Sequence, residues 1–264
     1  MTKPPVLVLG AGFTGERVAR RFEARGHDVV RTRSSNLPLP DVSLLRALPG
    51  AEWLVLHSIP LVRSATGLVD PTPMLLEGLG TKAKRLVYLS TTGVYGAATE
   101  VDETTPVAPR TPRERLRVDA ERAVMAFEAS TLVLRPAAIY GPGRGAHVSI
   151  REGTWRLGGE GTNMVSRIHV DDLAALAEAA LLSDLEGAFP VADEEPCSSL
   201  ELTEFCCAQL GVPIPPSVDP AELDETRRAN RRVDARAILR ELGVTLRYPS
   251  YRVGIPACLA DEAR

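Results

Sequence analysis

Four apolar residues, Val6-Leu7-Val8-Leu9, run straight into Gly10-Ala11-Gly12-Phe13-Thr14-Gly15, and an amphipathic stretch follows at once. Few folds accommodate that order. A short apolar run closed by turn residues reads as a buried parallel strand. From Glu16 to Ala24, Val18, Ala19 and Phe22 recur at helical spacing, and Gly26 ends the helix. Strand, glycine turn and helix together open a dinucleotide-binding unit. Its glycines permit a tight turn and close approach of a pyrophosphate, and its helix N-terminus supplies N–H donors. Gly10, Gly12, Phe13, Thr14 and Gly15 are therefore candidate cofactor contacts.

The pattern continues in alternation. A second strand spans residues 27–32. Residues 33–51 are short and broken by Pro38, Pro40 and Pro49, which predicts a truncated crossover. Strands follow at 52–57, 85–90 and 131–135, the last stopped by Pro136, with helices at 73–80 and within 111–130 and a loop at 60–72. This predicts an α/β fold with a Rossmann-type doubly wound parallel sheet. Beyond it, glycine-rich residues 141–166 read as a loop over the site. A helix at 172–183 is capped by Asp171 or a neighbour, and one at 199–210 by Ser198 or Ser199. A strand at 187–192, a proline-rich connector at 213–220 and a helix at 234–242 complete the reading. The expected organisation is a nucleotide-binding domain, 1–140 plus 163–185, and a smaller C-terminal substrate lobe, 141–162 and 186–264.

Composition narrows the function. The 264 residues carry a net charge of −3 with no basic block, which gives no reason to expect nucleic acid as a partner. No run reaches ~18 apolar residues, so no membrane span is expected. Four cysteines without C-x-x-C spacing read as free thiols in a reducing compartment, and the expected setting is cytoplasmic. The four histidines are scattered, so no metal site is expected.

The second strand ends Arg31-Thr32-Arg33-Ser34-Ser35, with no carboxylate to hold an NAD ribose. Arginines and hydroxyls there suit a 2′-phosphate, so NADP(H) is the preferred cofactor. The alternative is NAD(H), its ribose held by Ser34 or Ser35.

Further segments carry a resemblance. They are Ser90-Thr91-Thr92-Gly93-Val94-Tyr95-Gly96, the run from Leu134 to Gly143, Arg167-Ile168-His169-Val170-Asp171-Asp172-Leu173, and the run from Arg232 to Gly243. With the glycine turn they resemble the extended branch of the short-chain dehydrogenase/reductase superfamily, the NAD-dependent epimerases and dehydratases. The layout is most similar to its atypical, YeeZ-like members. The resemblance implies an oxidoreductase or epimerase acting on a small carbonyl or sugar-like molecule, and a homodimer through the helices near 73–80 and 111–130. It also implies that His57, Ser58, Ile59, Pro136 and Ile139 border the cofactor.

Three departures bear on the chemistry. Leu9 stands where extended members carry a first glycine. No Asp-Glu pair follows Thr91, so dehydration by the usual route is not expected. Where the family has Tyr-x-x-x-Lys, this chain has Arg113 and Arg117. A guanidinium with a pKa above ~12 cannot cycle a proton near neutrality. Arg113 is thus a candidate electrostatic or substrate-binding group, and an acidic substrate would suit it. Arg117 is a candidate for the lysine's ribose contact, Thr91 for a hydrogen bond to substrate, and Tyr95 or Tyr140 for the missing phenol. His169 and Asp171 read as structural residues fixing the loop before a helix. The alternative to an enzyme is a non-catalytic NAD(P)-binding sensor or interaction protein.

Overall fold

The computed structural model describes residues 3–65 and 67–264. Its centre is a six-stranded sheet of β1 (Val6–Leu9), β2 (Val29–Arg31), β3 (Trp53–His57), β4 (Ala83–Leu89), β5 (Ser130–Pro136) and β6 (Gly187–Val191). Every pairing is parallel, in the spatial order β6-β5-β4-β3-β1-β2. The doubly wound reading therefore holds. The strand in residues 187–191, which the sequence division assigns to the smaller lobe, pairs with β5 in this sheet.

The four inner strands, β1, β3, β4 and β5, bury both faces, and alternation sorts the side chains. Val6 and Val8 pack with Val18 and Phe22 of α1 (Gly15–Ala24). Leu7 and Leu9 point the other way, into a cluster that includes Leu45 of α2 (Ser43–Arg46) and Leu75 and Leu79 of α3 (Thr72–Leu79). Val124 of α4 (Pro112–Met125) joins this second face. The crossover after β2 holds only the four-residue α2 before β3 begins. No strand can form outside β2 in so short a segment, so the chain returns to pair on the other side of β1. The strand order thus reverses at β1 and β3, and this reversal opens the crevice where doubly wound sheets take ligands.

α5 (Ala146–Arg151) forms inside the stretch expected to be loop, and α6 (Val170–Leu181) returns to pack on α1. The cap of α6 is His169, whose Nδ1 accepts from Asp171 N, so the expected Asp171 cap is replaced by a residue two positions earlier. A separate cluster joins Tyr140, Ile150, Cys206, Tyr251, Ile255 and Cys258. It packs α5 with α7 (Ser199–Leu210) and with α9 (Tyr251–Glu262), while α8 (Arg236–Leu242) lies apart, against α6. α9 has no counterpart in the sequence reading. Residues 62–64 and 67–69 pair as antiparallel strands where only a loop was expected. All four cysteines are free and buried. Among the described residues no helix is long and apolar enough to cross a membrane.

Candidate functional site

A cavity of about 1970 Å³ lies along the carboxyl ends of β1, β3, β4 and β5. Gly10 to Thr14, Ser58 and Ile59, Ser90 to Gly93, and Pro136 to Tyr140 all line it. The three motif glycines are needed for three different reasons. Gly10 has φ +88°, and a Cβ there would come within 3.0 Å of Ile59. Gly15 lies under the turn, where a Cβ would stand 2.3 Å from Gly10 O. At Gly12 a Cβ would meet nothing within 4 Å, because this position faces open cavity. Space kept clear beside a helix N-terminus fits the pyrophosphate of a dinucleotide.

The neighbouring side chains hold this turn. Thr32 Oγ1 accepts from Gly10 N at 3.1 Å. Ser58 Oγ lies 2.7 Å from Gly10 O, which accepts its proton. Thr32 and Ser58 therefore secure the turn from opposite sides. Ser34 and Arg33 also line the cavity, and Arg33 reaches Glu16 at 2.7 Å. Arg31 does not line it. Its guanidinium is taken up by Glu23, through contacts of 2.7 and 2.6 Å, and by Glu16 at 3.2 Å. Arg31 points along α1, so its expected place beside the cofactor is corrected. Glu16 is left to the arginines. Burial alone would raise its carboxyl, but the Arg20 hydrogen bond and the charges of Arg31, Arg20 and Arg33 hold it below the usual range.

The catalytic candidates divide sharply. Thr91 lines the cavity and its Oγ1 accepts from Gly93 N at 3.1 Å, which leaves the hydroxyl proton free to donate outward. Arg113 lines the same cavity, and among the described residues its side chain has no hydrogen-bond or carboxylate partner. Arg117 also reaches the cavity, but its side chain is buried and tied down. Its Nη1 donates to Asp70 Oδ2 at 3.2 Å and to the Tyr88 hydroxyl at 2.5 Å.

Neither tyrosine is placed as the missing phenol. Tyr95 is fully buried outside the cavity lining, and its hydroxyl accepts from Arg135 at 3.0 Å. Arg135 is itself paired with Glu121 at 2.7 Å. Tyr140 borders the cavity, yet its hydroxyl turns to Ser250 O at 3.5 Å and lies against Gly254 of α9. Burial raises both phenols, against the lowering effect of Arg135 at Tyr95 and despite Arg167 near Tyr140. His57 also turns away. Its ring is buried against Tyr88, and burial lowers it to about 4, so the ring is neutral. His169 caps α6 and receives the Cys258 thiol at 3.4 Å, while Asp171 pairs with Arg17 at 2.8 Å.

The sequence reading did not identify Asp70, Thr72 or Tyr88. Nor did it identify the wider charge of the cavity, whose lining holds eleven arginines against Glu114 and Glu225. Several come from the stretch around Arg227, Arg228 and Arg231, where the run of arginines was a visible but unread signal.

Residues 72–189 match the model of the NAD dependent epimerase/dehydratase family. The chain is 29% identical to a 3-diazoavenalumate denitrifying reductase from a Streptomyces species, over 83% of this chain and 85% of that protein. It is 28% identical to a 2-alkyl-3-oxoalkanoate reductase from Stenotrophomonas maltophilia strain K279a, over 77% and 74%. A functionally unknown conserved protein from Silicibacter pomeroyi superposes with a TM-score of 0.80 at 31% identity, covering 98% of this chain and 99% of that one. Across residues 72–189 the chain carries the pattern of the NAD dependent epimerase/dehydratase family.

Proposed function

We propose that this protein is an NADP(H)-dependent reductase of a small carbonyl compound that carries an anionic group. The observation that carries the proposal is the pair Arg110 and Arg113. Both line the cavity that holds the glycine turn and Thr91, and neither side chain has a carboxylate partner among the described residues. Uncompensated guanidinium groups at a cavity wall favour a carboxylate or phosphate, which they bind through paired hydrogen bonds. Two of the related proteins are named as reductases, and one name specifies an oxoalkanoate.

In this reading the glycine turn, with Phe13 and Thr14, holds the pyrophosphate, and Arg33 and Ser34 take the 2′-phosphate. Ser58, Ile59, Pro136 and Ile139 border the nicotinamide half. When bound, the nicotinamide supplies the hydride. Thr91 donates its proton as a hydrogen bond to the substrate oxygen and polarises the carbonyl. Arg113 fixes the anionic group and adds a positive field beside the developing alkoxide. Water in the open cavity delivers the proton, since both nearby phenols face elsewhere. The segments 141–162 and those following the last sheet strand form the substrate lobe.

The test is NADPH oxidation with short oxo acids and with their methyl esters. Turnover of acids with loss of activity on esters, and a KM at least tenfold higher in Arg113→Ala, are the expected results. Equal rates on acids and esters would contradict the anionic substrate. A second reading, a dinucleotide sensor without turnover, follows from the same turned-away phenols. It is favoured if dinucleotide binds and no carbonyl is reduced.

A further inference from the structure

Beneath the cavity floor a chain of buried polar groups runs without interruption, and it orders its own protons. Ile59 N donates to His57 Nδ1 at 3.3 Å, so the ring carries its proton on Nε2. His57 Nε2 then donates to Thr72 Oγ1 at 2.9 Å, and Thr72 Oγ1 donates to Asp70 Oδ1 at 2.5 Å. From the other side Arg117 Nη1 donates to Asp70 Oδ2 and to the Tyr88 hydroxyl, which itself faces Asp70 Oδ2 at 3.5 Å. Asp70 is the acceptor on which every branch ends. It joins β3 and the cofactor-side segment 58–59 to α4, two elements that approach the cavity from different directions.

We propose that Asp70 is a positioning residue for Arg117, holding one edge of its guanidinium so that the other edge serves bound dinucleotide. The proposal rests on the function stated above. Arg117 lines the cavity, and among the described residues its Nε and Nη2 have no protein acceptor. A guanidinium has two edges, and fixing one sets the direction of the rest. A lysine ammonium in the same place could satisfy the buried carboxylate or the cavity, but not both with fixed directions. The arginine at this position and the aspartate beneath it therefore form one unit. The carboxylate and guanidinium cancel in charge, which makes the buried pair tolerable.

The experiment is a double-mutant cycle read by NADPH affinity. Kd is measured by nicotinamide fluorescence for the parent, Asp70→Asn, Arg117→Gln and the double variant, with thermal unfolding of each in parallel. A residue acting through Arg117 weakens binding about tenfold in the parent and less than twofold when Arg117 is already glutamine. An equal loss in both backgrounds, or no loss in either, overturns the proposal, because a purely structural aspartate acts regardless of residue 117. Should Asp70→Asn fail to fold, Tyr88→Phe removes only the phenol from the same unit. It should weaken binding about threefold in the parent and leave the Arg117→Gln background unchanged, and equal effects would again overturn the idea. A parent that binds no dinucleotide contradicts the proposed function itself. A parent that binds, with uncoupled substitutions, contradicts only the role of Asp70.

Discussion

At the scale of single residues, the glycine motif separates into positions that serve the ligand and positions that serve the fold. Gly12 faces open cavity, so Gly12→Val adds bulk only where the pyrophosphate would lie. Dinucleotide binding should vanish while circular dichroism and thermal unfolding stay close to the parent. Gly15→Ala should do the opposite. Its Cβ meets the backbone carbonyl of Gly10, which cannot swing aside, so about 1–3 kcal/mol of stability should be lost. Parallel denaturation and titration of both variants check the contrast, and equal behaviour would contradict the assignment of roles. The same scale shows where sequence reasoning stops. Arg31 and Arg33 look alike two positions apart, but Arg31 is the last residue of β2 and Arg33 lies beyond the strand end. Arg31 is consumed by Glu23 and Glu16, whereas Arg33 shares Glu16 alone and also lines the cavity. Which arginine a carboxylate consumes depends on how α1 packs, and nothing local to residues 31–33 records it.

At the scale of elements, α4 carries both replaced residues and its start is firmly set. Thr111 Oγ1 accepts from Glu114 N at 3.3 Å, and Glu114 returns to Thr111 N at 3.0 Å. This reciprocal cap sets the register that puts Arg113 at the cavity and Arg117 four residues on, in the buried wall. Thr111→Ala should lower stability by about 1 kcal/mol, measured by chemical denaturation. The strands, α1, α4 and α7 were legible because their apolar spacing and caps are local. The pairing of residues 62–64 with 67–69 was not, since Pro60 and the polar residues around it mark a loop equally well. α9 was missed because Pro256 lies inside it and breaks the helical signal. The Asp70–Arg117 pair was out of reach for another reason. Its members are separated by 47 positions, and only the packing of α4 on the sheet brings them together.

At the scale of the whole molecule, charge distribution matters more than net charge. The protein is mildly acidic, yet its cavity gathers arginines from several elements. Such a field draws anions in and makes association depend on salt. One buried acid couples the fold to pH. Burial lifts the Asp193 carboxyl to about 8, outweighing the opposing charge of Arg167. A raised carboxyl favours the protonated folded state, so its favourable contribution is complete below about pH 4 and is lost as pH climbs through about 8. Asp193→Asn cannot ionise. The variant's Tm relative to the parent should therefore rise from pH 5 to pH 8, and a difference independent of pH would contradict a buried neutral Asp193.

The central claim is that the cavity at the sheet reversal takes a dinucleotide, with Arg33 and Ser34 selecting the phosphorylated form. Titration with NADPH and NADH, followed by nicotinamide fluorescence on the parent and on Arg33→Ala, tests it most directly. The expected result is NADPH binding at least tenfold tighter than NADH in the parent, with the difference falling to about threefold or less in the variant. Equal affinity of the parent for the two forms would remove the selectivity, and no binding of either would contradict the claim at its root.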